Sequence, residues 1–136
     1  MGGAGKILTK ADVVEINRRM INTFGGVFFA GDDNLVNPGS LDYVLEEIGG
    51  TLFGVSKYPS LVEKVALIGW RIIIGHIFHD GNKRTGMEAC RVYLELNGYD
   101  MKIDSEVVNI AKRIAKNDIS YSEFVSWIRE RIEVVK

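Results

Sequence analysis

An all-α, single-domain protein of about six helices is the fold this sequence predicts, and three observations carry that expectation. Apolar residues recur at steps of three and four along most of the chain, the spacing that keeps them on one face of a helix. Residues suited to capping precede these stretches, and Gly or Asn-Gly follows several of them. No repeat, low-complexity tract or linker divides the 136 residues, a length that suits one ordinary domain.

The elements follow in order. Residues 1–8 read as a flexible tail ahead of a domain spanning 9–133. The opening MGGAGK lacks the apolar core of a signal peptide. Its Gly-Ala-Gly-Lys has no preceding strand and no Ser or Thr after Lys6, so a phosphate loop is disfavoured against a frayed end. From Thr9, Val13, Ile16, Met20 and Phe24 mark a first helix, capped by Thr9 with Asp12 three residues on and stopped by Gly25-Gly26. Residues 25–40 read as a long mobile loop or weak hairpin, rich in Gly and carrying the apolar island Val27, Phe28 and Phe29. A short helix capped by Ser40 ends at Gly49-Gly50. Pro59-Ser60 opens the most apolar stretch, Leu61 to Phe78, expected to be the central helix and broken by Asp80-Gly81. A further helix spans about Asn82 to Asn97, where Asn97-Gly98 supplies a left-handed stop. Two more run from Asp104 or Ser105 to about Asn117, and from Ser120 to about Glu133 with Phe124, Trp127, Ile128 and Ile132 on one face.

Composition excludes several classes of function. A net charge of −1 and a pI near 6.1 leave no global basic footprint for DNA or RNA. No uninterrupted apolar run reaches the length of a membrane span. The lone Cys90 cannot form an internal disulfide, which suits a reducing cytoplasm.

Chemistry concentrates in His76-Ile77-Phe78-His79-Asp80-Gly81-Asn82-Lys83-Arg84, where a hydrophobic helix ends in polar groups and the next helix begins. A helix N-terminus presents unpaired N–H groups and partial positive charge, and so attracts anions. Gly81 permits a tight turn and close approach of a phosphate, while Lys83 and Arg84 add positive charge. Asp80 offers a hard oxygen ligand for Mg²⁺, and His76 can take a proton near neutral pH. Together they describe phosphoryl or nucleotidyl transfer from ATP, a reaction governed by positioning and charge stabilisation. Blander readings compete. His76 alone could be a core histidine, His76 with His79 and Asp80 a transition-metal site, and Lys83-Arg84 a solvated helix face. No Cys/His pair completes the metal site, and Trp70, Phe78, Tyr93, Phe124 and Trp127 read as core packing.

The same segment resembles the signature of the Fic/Doc family, His-x-Phe-x-(Asp/Glu)-Gly-Asn-(Gly/Lys)-Arg, and matches every specified position. The likeness extends from about Leu8 to Ile132, through the Gly-Gly that ends the first helix, Asn-Pro-Gly-Ser-Leu, Tyr-Pro-Ser-Leu and Leu-Asn-Gly-Tyr. The resemblance implies a compact Fic/Doc helical fold with a Gly-rich flap loop. It implies His76 as general base, Phe78 as buried anchor, Asp80 as Mg²⁺ ligand, Gly81 and Asn82 as anion site, and Arg84 as phosphate binder. Lys83 stands where most adenylyltransferases of the family have Gly, and resembles the Doc (death-on-curing) branch. There the nucleotide is reversed and a protein Ser or Thr receives the terminal phosphate of ATP. Met87 replaces a second Arg of many adenylylating relatives, whereas Gly81, Ala in several Doc proteins, leaves AMP transfer open.

The implied function is a Doc-like kinase of a toxin–antitoxin system, acting on a cytoplasmic protein such as a translation factor. The alternatives are an adenylyltransferase and a catalytically silent binding module. Ser126 to Glu130 is followed by Arg131 and so misses the family's built-in inhibitory pattern; an inhibitor would then be a separate antitoxin chain. In the family a flap holds the target segment by backbone pairing, which implies docking at Val27, Phe28 and Phe29 or at Leu35 and Val36.

Overall fold

The computed structural model describes residues 6–52, 55–56, 58 and 60–135. Among them are six α-helices, α1 (Lys10–Phe24), α2 (Pro38–Gly49), α3 (Leu61–Ile74), α4 (Asn82–Leu96), α5 (Ser105–Ala115) and α6 (Tyr121–Arg131). The all-α expectation holds, with two small antiparallel ladders that it did not include. One pairs β1 (Thr51–Leu52) with β2 (Val55–Ser56), and the other pairs β3 (Tyr99–Met101) with β4 (Ile132–Val134). No helix among the described residues is long and apolar enough to cross a membrane.

Local chemistry sets where several helices start. Thr9 and Asp12 form a reciprocal capping box at α1, with Thr9 Oγ1 accepting from the Asp12 amide at 3.2 Å and the Asp12 carboxylate accepting from the Thr9 amide at 2.9 Å. Ser120 and Glu123 repeat the device at α6, and Ser60 caps α3 by accepting from the Glu63 amide. α3 is the centre of the molecule: Val65, Ala66, Leu67, Ile68, Gly69, Ile72 and Ile73 are all buried, and it packs on α2, α4, α5 and α6. Its tightest crossing is with α4. A Cβ built on Gly69 would overlap Cys90 Sγ, and one built on Gly86 would stand 2.9 Å from the Gly69 carbonyl oxygen. The two backbones therefore come close, with Cys90 Sγ and the Ile73 side chain in the space that Cβ atoms would take.

Three boundaries and the buried face of one helix differ from expectation. α3 ends at Ile74, not Phe78, because His76 turns left-handed and Ile77-Phe78 continue as extended, buried chain. α2 starts at Pro38, whose fixed φ suits the first helical turn, so Ser40 lies inside the helix and Asn37 precedes it. α6 stops at Arg131 because Ile132 leaves to pair with Met101 in the β3–β4 ladder. In α1 the buried stripe is Val13, Ile16, Asn17 and Ile21, and Phe24 is exposed.

Of the tail expected over 1–8, residues 1–5 lie outside the described ones, and with them most of Gly-Ala-Gly-Lys. Pro59, expected to open α3, lies outside them too. Leu8 is buried in the core, and the Lys6 backbone exchanges two hydrogen bonds with the Asn97 side chain, at 3.0 and 2.8 Å. Lys6 and Leu8 are thus tied to the fold ahead of Thr9.

Candidate active site

The segment between α3 and α4 is built from the inside outward. Ile77 and Phe78 are almost wholly buried and anchor it to the core. Leu35 forms an antiparallel bridge with Phe78, the Val36 amide donates to the Ile77 carbonyl at 2.8 Å, and the His79 amide donates to the Asn34 carbonyl at 2.9 Å. Leu35 and Val36, ahead of α2, therefore lie along the motif segment, so this part of the 25–40 loop is neither a hairpin on itself nor a loose connection. The Asn37 side chain donates to the carbonyls of Gly75 (3.2 Å) and His76 (2.9 Å), groups left free where α3 ends. Held by this clamp, His76 adopts φ +45° and its imidazole stands exposed. A left-handed non-glycine residue is uncommon, and such backbone is concentrated at functional positions.

The next turn leads into the N-terminus of α4. Gly81, at φ +77°, delivers the chain into α4, whose first residue is Asn82. The Asn82 carboxamide accepts from the Phe78 amide at 2.9 Å and donates to the Phe78 carbonyl at 2.8 Å, closing residues 78–82 into a rigid ring. The Asp80 carboxylate accepts from the Gly81 amide (2.8 Å) with one oxygen and from the Val27 amide (3.0 Å) with the other. That second bond requires Gly26, at φ +129°, because a Cβ there would come within 2.7 Å of Asp80 Oδ2.

Asp80 fits a Mg²⁺ that also takes phosphate oxygens. Such ions commonly use only one or two protein carboxylates, and each Asp80 oxygen keeps a lone pair beyond its single N–H bond. Among the described residues no group of three or more His, Cys, Asp or Glu side chains is placed to hold a metal ion. The transition-metal reading of His76, His79 and Asp80 therefore has no such cluster behind it, and His79 instead faces Asp32 at 3.0 Å and the edge of the Phe29 ring.

The remaining sequence-predicted residues divide. Lys83 and Arg84 are exposed on the first turn of α4, with the Arg84 guanidinium 4.0 Å from the centre of the Phe24 ring. Both line a groove of about 340 Å³ whose walls include Met20, Phe24, Met87 and Val107. Val27 and Phe29 are exposed beside Asp80 and His79, and Phe28 lies under the Arg18 guanidinium. Leu35 is in the core and the Val36 amide is already paired, so this second flap segment is bonded inward along the motif. Sequence reasoning missed Asn17, Asn34, Asn37 and Thr85. Asn17 and Thr85 are fully buried and join α1 to α4. Their signal was a polar residue on a buried stripe: Asn17 sits between Val13 and Ile21 at steps of four.

A family model described as the Fic/DOC family matches residues 7–94, the stretch that contains α1 to α3, most of α4 and His76 to Arg84. The chain belongs to the Fic/DOC family. It is 32% identical to "Toxin Doc" of Mycolicibacterium smegmatis over 92 residues, covering 68% of this chain and 71% of that protein. It is also 21% identical to "Protein kinase doc" of Escherichia phage P1 over 122 residues, covering 90% of this chain and 92% of that one. In this Fic/DOC chain β3, α5, α6 and β4 lie beyond the matched stretch, with α6 packed on α3 and α5 on both α3 and α4.

Proposed function

We propose that this chain is a Doc-type protein kinase that transfers the terminal phosphate of ATP to a Ser or Thr hydroxyl of another protein in the cytoplasm. The observation that carries the reading is the joining of an exposed, left-handed His76 to a closed anion turn, Asp80 to Asn82, at the N-terminus of α4. Phosphate oxygens would sit on the α4 N-terminus, against the backbone amides and beside Lys83 and Arg84. Bound there, Mg²⁺ would neutralise phosphate charge, with Asp80 as its protein ligand. His76 takes the proton of the target hydroxyl, whose oxygen forms a bond to the terminal phosphorus as the bond to the bridging oxygen breaks and ADP leaves.

The target segment would lie along Val27, Phe28 and Phe29, where Val27 and Phe29 are exposed and adjacent to Asp80 and His79. The name "Toxin Doc" of one relative supports a toxin, and a separate antitoxin chain that holds it is part of this reading. The apolar groove beside Arg84 offers such a chain an exposed surface next to a phosphate-binding group.

The test incubates the protein and its His76→Ala variant with Mg²⁺-ATP and a host extract, and reads peptide masses. A His76-dependent gain of about 80 Da on Ser or Thr is expected; a gain of about 329 Da would mean AMP transfer and a reversed nucleotide. A protein with no affinity for Mg²⁺-ATP and no His76-dependent adduct would be a binding module instead.

A further inference from the structure

The fold contains a polar relay that no step above uses. Asn17, in the middle of α1, is fully buried, and so are Asn34 of the flap and Thr85 of α4. The Asn17 carboxamide donates to the Asp80 carbonyl at 2.9 Å and to Thr85 Oγ1 at 3.0 Å, and accepts from the Asn34 carboxamide at 2.9 Å. Asn34 in turn accepts from the Phe29 amide at 2.9 Å with its side chain and from the His79 amide with its carbonyl.

Backbone groups fix the direction of the whole relay. The Phe29 N–H can only donate, so the oxygen of Asn34 must face it and the nitrogen must face Asn17. Asn17 therefore presents its oxygen to Asn34, and its nitrogen meets the Asp80 carbonyl, which can only accept. A buried amide pair costs desolvation that a pair of apolar side chains would avoid. What it confers is position: apolar side chains tolerate sliding, whereas these bonds hold only at one register of flap, turn and helix. Asn34 also sits at φ +63°, a backbone that Asn tolerates better than most residues.

We infer that Asn17 is a positioning residue that makes the flap and the anion-binding turn one unit, so that the target-docking edge and the phosphate site keep a fixed separation. The part of this that concerns catalysis rests on the proposed function; the coupling itself does not. Asn17→Ala removes the hub, and Thr85→Val keeps the side-chain shape while removing one acceptor.

Amide exchange by NMR on the full chain, without nucleotide, reads the coupling. In Asn17→Ala the amides of Phe29 and His79, bonded to Asn34, and of Val27, bonded to Asp80, are expected to exchange about tenfold faster or more, with α5 and α6 unchanged. Thr85→Val is expected to shift the same amides less, and it carries the test if Asn17→Ala does not fold. Equal acceleration throughout the chain, or flap amides unchanged, would overturn the inference. In the transfer assay the KM for Mg²⁺-ATP is expected to rise about tenfold and kcat to fall, with Thr85→Val shifted in the same direction. Unchanged kinetics in a variant whose flap exchanges faster would also overturn it. If the wild-type chain neither binds Mg²⁺-ATP nor transfers phosphate, the proposed function fails, while the exchange result still decides the coupling.

Discussion

Replacing Gly26 by Ala tests whether the flap must approach the Asp80 carboxylate as closely as it does. The added Cβ would stand 2.7 Å from Asp80 Oδ2 and 2.9 Å from Ile21 Cδ1, on a residue whose φ is +129°. Two responses compete. If the flap stays, the chain carries backbone strain of about 1–3 kcal/mol in addition to the overlap. If it lets go, the chain loses the charge-assisted bond from Val27 to Asp80, worth about 1.5–3 kcal/mol and nearer the lower figure because Val27 is exposed. Overlap makes staying the costlier choice, so release caps the penalty. For 136 residues, each kcal/mol corresponds to roughly 3.5 °C in Tm, which places the drop at about 5 °C. Calorimetry gives that number, and NMR exchange at the Val27 amide says whether the bond has gone. A Tm within 1 °C of wild type together with a Val27 amide as protected as before would refute the reasoning.

Two further outcomes follow from the same geometry. Asn82→Asp keeps an acceptor for the Phe78 amide but turns an oxygen toward the Phe78 carbonyl, so it is expected to cost about 1–3 kcal/mol at neutral pH despite a favourable charge at the start of α4. Protonation restores the donor. The penalty on the charged form raises the folded-state pKa, so the variant's deficit in thermal melts should be complete well above that raised value, shrink as pH falls through it, and be smallest below the ordinary carboxyl value of about 4. Cys90 is buried, donates to the Val65 carbonyl, and has its thiol pushed up to about 12 by burial. It should resist iodoacetamide at pH 8 in the folded protein and react at once in denaturant, whereas rapid alkylation of the native chain would contradict its placement. The sign for stability is the same: the protonated thiol's contribution is whole below the unfolded value of 9.0 and is lost as pH rises toward 12.

The sequence made the motif legible because its residues are local: Asp80, Gly81 and Asn82 act within one turn, and the spacing alone places them at a helix start. Helix starts were equally readable wherever a side chain caps its own first turn, as at Thr9, Ser60 and Ser120. What failed was non-local. The run Ile72 to Phe78 has the same apolar character whether it is buried helix or buried extended chain, and only the partner strand at Leu35 decides between them. Ile132 likewise fits a helical face until Met101 claims it. Asn17 drew no notice because its partners stand 17 to 68 positions away, so its role lies in the fold and not in its neighbours. Phe24 kept the helical spacing but faces outward, where it supports the Arg84 guanidinium.

The glycine contact between α3 and α4 has a mechanical consequence. His76 follows the end of α3 and Gly81 precedes the start of α4, so the span between these two residues depends on how those two rods are fastened. At Gly69 and Gly86 the two backbones come close, with Cys90 Sγ against Gly69 and the Ile73 side chain against Gly86. Such a joint behaves as a rivet. Repacking elsewhere in the core, by warming or by mutation, can loosen the helices at their far ends while the angle at the rivet, and with it the span of the site, stays nearly constant.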